Sequence, residues 1–244
     1  MDGISTAAAS GMRARMESLE MLANNLANVE TGGFKADREF FSLYTGSDAS
    51  ADPQTGDVET LPLIQTHWTD LAQGTILNTA NPLDFAIDGD GLFAIETRAG
   101  VRYTRNGRFR VSAGGVLTTL DGSPVRAQGG GTIQLTPNVP VDVLPDGTIQ
   151  QSGAAAGRID ISSFNHGELD KAGANYFVPV NSSKSKPGTG TVLQGKLEQS
   201  NVGAAESAVR LVAIMRQFEM LQKAMSIGND LNQKAIQEVA RVTT

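Results

Sequence analysis

The C-terminal stretch from Ala204 to Val242 constrains this chain more than any other. Leu211, Ile214, Phe218, Leu221 and Met225 advance by alternating threes and fours. That is the heptad rhythm of a helix packing along its length against another helix. The charges agree. Glu206, Glu219 and Asp230 each stand four residues before a base (Arg210, Lys223 and Lys234), and Glu238 stands three before Arg241. An acid on the N-terminal side is the favoured order on a helix. The frame runs through Gly228 and Asn232 and recovers at Ala235, Val239 and Val242, so Ile227 and Leu231 are expected to carry the seam across the gap. Such a helix is about 58 Å long, and an ordinary domain made from a chain of this size is not much wider.

The other end repeats the pattern. Ile4, Ala8, Met12, Met16, Leu19, Leu22, Leu26 and Val29 recur at steps of three or four, predicting a helix of about 40 Å from Gly3 to Val29. Asp2 fits an N-cap. Gly32 and Gly33 supply a left-handed stop, with Phe34 placed to pack back on the last turn. Asn24, Asn25 and Asn28 are out of character, because the asparagine amide competes for backbone groups. Either they form a solvated face or they hydrogen-bond to neighbouring helices.

Between the ends the period changes to two. Leu83, Phe85 and Ile87 alternate, then Phe93 and Ile95. Asn106-Gly107 sits between strand-like flanks, a strong hairpin signal. Val116, Thr118 and Leu120 are expected on one strand face before Asp121-Gly122. Val141 and Val143, then Ile159 and Ile161, add further short strands. The spacing predicts an antiparallel, partly barrel-like all-β domain. Thr45 to Thr60 and Asn181 to Thr191 are rich in turn formers and read as flexible. The fold class is therefore α+β: long terminal helices around a central β-domain. One β-domain cannot cover both apolar stripes along their length. The helices pair as a coiled coil, pack against other subunits, or fold back as ordinary core.

Several function classes fall away. A formal net charge of −6 without a basic block argues against nucleic acid as the main partner. No apolar run is long enough to span a bilayer, and the N-terminus lacks the basic start and apolar core of a cleaved signal. With no cysteine, disulfides and thiolate chemistry are excluded. His67 and His166 stand apart from other metal ligands. Asp84, Asp88 and Asp90 form an acidic cluster, but Leu92 and Ala99 occupy positions where a calcium loop needs ligands, so Asp88 to Gly91 reads as a turn. Arg102, Arg105, Arg108 and Arg110 read as the solvated face of a ribbon. Asn181 begins a glycosylation sequon of a kind common by chance. No triad, phosphate loop or dinucleotide fingerprint is present, so an enzyme is not expected and no cofactor is implied.

Three stretches then bear a resemblance. "AAASGMRARMESLEMLANNLANVETGGFKADREFF", "NPLDFAIDGDGLFAIE" with "YTRNGRFRVSAGGVLTTLDGSPV", and "GKLEQSNVGAAESAVRLVAIMRQFEMLQKAM" resemble, in order, the N-terminal, central and C-terminal motifs of bacterial flagellar basal-body rod and hook proteins. "RQFEMLQKAM" and the chain length resemble the proximal-rod type. Gln217 and Phe218 stand where the distal-rod type usually has Ala-Tyr. Departures are Gly203 to Ala205, and Glu30 and Gly32.

The resemblance implies a non-enzymatic structural subunit with no cofactor. It implies export through the flagellar type III apparatus without a cleaved signal, and a place in the periplasmic part of the basal body. Its partners would be copies of itself and other rod subunits, met through the terminal helices. The expected organisation is a polymerisation helix over 1–35, an extended connection over 36–80, a β-domain over 81–180, a returning linker over 181–203 and a second polymerisation helix over 204–244. The expected assembly residues are Met12, Leu19, Leu22, Asn24, Asn25, Leu26, Asn28 and Val29 at one end. At the other they are Leu211, Ile214, Phe218, Leu221 and Met225.

Overall fold

A computed structural model describes residues 3–45, 60–165, 167–180 and 183–242. The Asp2 cap, most of the Thr45–Thr60 stretch, His166 and the Asn181 sequon lie outside them. The chain divides into two compact units. One comprises Met1–Ala27, Asp37–Trp68 and Gly203–Thr244; the other comprises Asn28–Ala36 and Thr69–Val202.

The first unit is helical with one β-ribbon. Helix α1 spans Gly3–Ala27 and helix α2 spans Ala204–Val242. Strands Asp37–Thr45 and Thr60–Thr69 pair with each other, and all but the last residue of this ribbon lies in the helical unit. The α2 bounds match the periodicity. In contrast, α1 stops two residues before Val29, because Asn28 opens a turn in which Thr31 N donates to Asn28 O at 3.1 Å. The stop is also not the expected glycine pair. Only Gly33 is left-handed, at φ 67°, and its role lies elsewhere.

Burial on α1 falls on Ala14, Ser18, Leu22 and Asn25, at steps of four, four and three. The two helices touch: a Cβ added at Gly11 would lie 3.7 Å from Leu221 Cδ1. On α2 the heptad stripe faces inward, with Ser207 and Ile214 buried and Leu211, Phe218, Leu221 and Met225 half-buried. Ile227 does not carry the seam across the gap. It is exposed, and Gly228 holds the original frame half-buried.

The β-rich unit is built on a six-stranded sheet in the order Leu169–Lys171, Phe177–Pro179, Gly100–Thr104, Leu92–Thr97, Ile161–Ser163, Lys186–Pro187, every pair antiparallel. Leu92–Thr97 is covered on both faces. Phe93 and Ile95 join the main core, and Leu92 and Ala94 join a second cluster with Tyr103, Phe164 and Phe177. That explains its unbroken apolar run. The main core stacks Phe109 against Phe85 and Phe93, at centroid distances of 5.6 and 5.2 Å. Smaller pairs surround it: Phe85–Asp88 with Thr191–Gln194, Ile76–Asn78 with Lys196–Glu198, and Phe109–Val111 with Leu117–Thr119. Three further strands, Ala154–Arg158, Thr148–Gln151 and Asp142–Val143, complete it.

Three expectations are corrected here. Asn106-Gly107 is a corner and no hairpin, since its flanking strands pair with other partners. A type I′ turn needs positive φ at both residues, and neither has it. Gly107 is required because a Cβ there would sit 1.8 Å from Phe85 O. Leu120 leaves the strand face of Thr118 and is 53% exposed, because the strand ends at Thr119 and the Asp121-Gly122 turn follows. The expected linker over 181–203 contains the strands Lys186–Pro187, Thr191–Gln194 and Lys196–Glu198. Its lysine and proline suit a sheet edge, where an unpaired strand must be protected.

Candidate functional site

The expected assembly residues do not form one surface. Leu22 is buried inside the helical unit; Met12, Leu19 and Leu26 are half-buried. Asn24 is exposed, and Asn28 and Val29 lie past the end of α1. Asn25 is buried, and its amide is spent within the chain. Its Nδ2 donates to Asp37 O at 2.8 Å, and Asp37 N donates to its Oδ1 at 3.0 Å. The side chain copies the paired donor and acceptor of a neighbouring strand and holds the start of the ribbon against α1. Both of these hydrogen bonds are made within the chain. One heptad earlier, Ser18 Oγ lies 2.6 Å from Glu39 Oε2 on the same ribbon.

What remains open is the outer face of α2. At 100° per residue, Val209, Ala213, Met220 and Ile227 fall within about 40° of one another, opposite the inward stripe. Val209 is 71% exposed, Met220 63% and Ile227 50%, with Val212 and Met215 exposed beside them. Arg216 and Lys223, also exposed, interleave with this row. On α1 the exposed face carries Arg13, Met16, Glu20 and Ala23.

The β-rich unit holds a polar centre that the sequence reading missed. Glu198 is completely buried and accepts from two buried cations, Lys35 Nζ at 2.6 Å and Arg105 Nε at 2.5 Å. Gly74 N also donates to Glu198 Oε1, at 2.9 Å. Lys35 Nζ also donates a hydrogen bond to Ala72 O at 2.7 Å. The Arg105 guanidinium is wrapped by the turn between Phe85–Asp88 and Leu92–Thr97, donating to Gly89 O at 2.7 Å, Ile87 O at 2.8 Å and Gly91 O. Gly33 meets the same centre. Its N donates to Glu198 O at 2.8 Å, and a Cβ on it would sit 2.4 Å from Arg105 C. Burial pulls the Lys35 ammonium below the ordinary lysine range; Glu198 opposes that shift and Arg105 adds repulsion.

Arg105 is therefore no part of a solvated face, whereas Arg108 and Arg110 are exposed as expected. The acidic turn is occupied by structure. Asp84 Oδ1 accepts from Asn81 Nδ2 at 2.9 Å, Asp88 Oδ1 from Gln73 Nε2 at 3.2 Å, and Asp90 from the Ser163 hydroxyl. A second polar site joins Asp121 to the hydroxyls of Tyr176, at 2.8 Å, Ser123, at 3.1 Å, and Thr119. Burial works against the Asp121 carboxylate, but these donors hold it below the usual range. Burial also pushes the Tyr176 phenol up; Thr119 opposes this and the Asp121 charge reinforces it.

Comparison with known proteins places these features. Residues 6–35 match the family described as flagella basal body rod protein, residues 86–154 the flagellar hook protein FlgE/F/G D1 domain, and residues 193–238 the flagellar basal body rod FlgEFG protein C-terminal region. Lys35, Arg105 and Glu198 fall one in each matched region. The chain is 32% identical over 233 residues to the flagellar basal-body rod protein FlgF of Caulobacter vibrioides, covering 92% of each chain. It is 34% identical over 217 residues to FlgF of Mesorhizobium japonicum, covering 87% of each. It is also 33% identical over 255 residues to FlgG of Bacillus subtilis, covering 93% of this chain and 95% of that one. A similarity of this extent, carried by three matched regions in order, means that the chain belongs to the flagellar basal-body rod protein family, with features of both the FlgF-like and the FlgG-like members.

Proposed function

We propose that this chain is a proximal-rod subunit that polymerises through its terminal helices and is assembled in the periplasmic part of the basal body. One observation carries the polymerisation: α2 spends its heptad stripe inside the subunit yet keeps Val209, Met220 and Ile227 exposed on the opposite face. Exposed apolar rows of this kind mark interaction sites. The exposed face of α1 carries both Arg13 and Glu20, so Glu20 is the group there that can pair with Arg216 or Lys223 of the row. Packing the α1 face of one copy on the α2 face of the next is a head-to-tail contact, which grows a filament when it does not close. The inward seam of α1 and α2 is a coiled coil that forms the subunit's own stem. The proximal assignment rests on Gln217 and Phe218.

Replacing Val209 and Met220 together by Glu tests this. Basal bodies isolated from cells carrying the variant should lack the rod beyond the step this subunit fills, and motility should be lost. A variant that builds a normal rod refutes the assignment of the face. Complementation of strains lacking either the proximal or the distal subunit decides the type; rescue of only the distal strain overturns the proximal assignment. Leu22→Asp and Leu221→Asp should also block assembly, here by disrupting the helical unit while the β-rich unit stays folded.

A further inference from the structure

The chain passes between its two units at four points: Ala27/Asn28, Ala36/Asp37, Trp68/Thr69 and Val202/Gly203. Inside the β-rich unit, the last three are tied to the Glu198 centre. Ala36 N donates to Asn201 Oδ1 at 2.7 Å, and Ala36 O accepts from Asp70 N at 2.8 Å. Asn201 Nδ2 donates to Asp70 O at 2.8 Å and Ala72 O at 3.1 Å, and that second carbonyl also accepts a hydrogen bond from Lys35 Nζ. Gln199 N donates to Thr75 O at 2.9 Å, and Asn201 N to Phe34 O at 3.3 Å. Three chain segments, around 33–36, 70–75 and 198–201, are thus knotted by side chains at the places where they leave the unit.

We propose that Lys35, Glu198, Arg105 and Asn201 form a positioning clamp that fixes these three exits relative to one another, and that this is why the centre is ionic. An apolar trio of the same volume would stabilise a core as well or better, since burying charges is costly. What an apolar trio lacks is direction. Each Glu198 oxygen is assigned to a different cation, Gly74 N adds a third donor, and Asn201 uses both ends of its amide. Only one arrangement of the three segments satisfies all of these bonds. A one-residue slip leaves a buried charge unpaired.

Lys35→Met separates positioning from stability. It removes the bonds to Ala72 O and to one Glu198 oxygen, and leaves Arg105 and Glu198 as a charge-balanced pair. Hydrogen exchange is read at Gly33, Asp70 and Gln199, whose own acceptors are the backbone oxygens of Glu198, Ala36 and Thr75 and survive the substitution. Exchange at these amides should accelerate about a hundredfold, while the strands Leu92–Thr97 and Leu117–Thr119 change by less than about threefold. Unchanged protection at the exits overturns the proposal, as does an equal acceleration in the core strands, which would mean ordinary global stabilisation. If that variant does not fold, Asn201→Ala, which alters no charge, is read at the same three amides against the same strands. Selective loosening there upholds the clamp, and uniform or absent loosening refutes it.

Discussion

The two units place their chemistry in opposite positions. The β-rich unit hides an ionic cluster of Lys35, Arg105 and Glu198, with Lys35 1% exposed, and satisfies it internally. The helical unit leaves Val209 and Met220, apolar residues with no need of water, 71% and 63% exposed. A buried ionic centre is tolerated only where the fold is closed and every partner is in place. An exposed apolar row is tolerated where the partner comes from outside. The β-rich unit closes over its charges, and the helical unit carries the apolar face that the proposed assembly would cover.

Breaking the closed unit should give the largest effect on stability. Arg105→Ala removes one cation from Glu198 and strips donors from three carbonyls. The expected cost is about 3–5 kcal/mol, the usual penalty for breaking a buried pair. Thermal unfolding of the β-rich unit checks it. A loss below about 1 kcal/mol would mean that the centre is hydrated rather than sealed.

Asn25→Leu comes next, because it attacks the internal rather than the external side of α1. It removes both hydrogen bonds that the Asn25 amide makes to the Asp37 backbone, at a cost of about 1–3 kcal/mol. Limited proteolysis should cut first in the ribbon beginning at Asp37, with α1 still helical by circular dichroism. If ribbon protection is unchanged while assembly loses register, Asn25 belongs to the interface after all.

That asparagine shows what the sequence exposed and what it hid. Periodicity and the acid-before-base spacing outlined α2, because a long helix repeats its rule often enough to survive the gap at Gly228 and Asn232. It also located the β-region, since alternation survives wherever a strand has one wet face. It missed the partner of Asn25 because Asp37 is brought near by a turn, and a hydrogen bond to backbone leaves no mark on the partner's side chain. Arg105 was misread for a related reason. Its neighbours Arg108 and Arg110 are exposed, and only the corner at Asn106-Gly107 turns Arg105 inward. The signal available was positional: Lys35, Arg105 and Glu198 each sit in a different one of the three matched regions.

Tyr176→Phe probes a milder polar site in the closed unit and should cost about 1 kcal/mol at neutral pH. The pH dependence is the sharper readout. The Asp121 carboxyl is depressed, so its contribution is full above the ordinary carboxylate pKa and is lost as pH falls through its lower folded value. The Tyr176 phenol is raised, so its contribution is full below its ordinary pKa and is lost as pH rises through the higher folded value. Removing the hydroxyl should abolish the alkaline loss and shrink the acid one. An unaltered alkaline limb in the unfolding midpoint would assign that limb to other groups.

The smallest expected effect on stability belongs to the open face, and it tests the comparison hardest. Met220→Glu places a carboxylate where the side chain already meets water, between Arg216 and Lys223 on the same row. The isolated subunit should change by less than about 0.5 kcal/mol, as exposed substitutions usually do. Self-association should fall nonetheless, because a neighbouring copy would have to bury that charge against an apolar surface. Light scattering of purified subunits and motility of the complemented strain read assembly, while thermal unfolding reads the monomer. A stable monomer that no longer assembles is the signature of an unfinished interface. A variant losing both equally would mean that Met220 already packs inside the subunit, and a variant losing neither would leave the outer face of α2 as surface only.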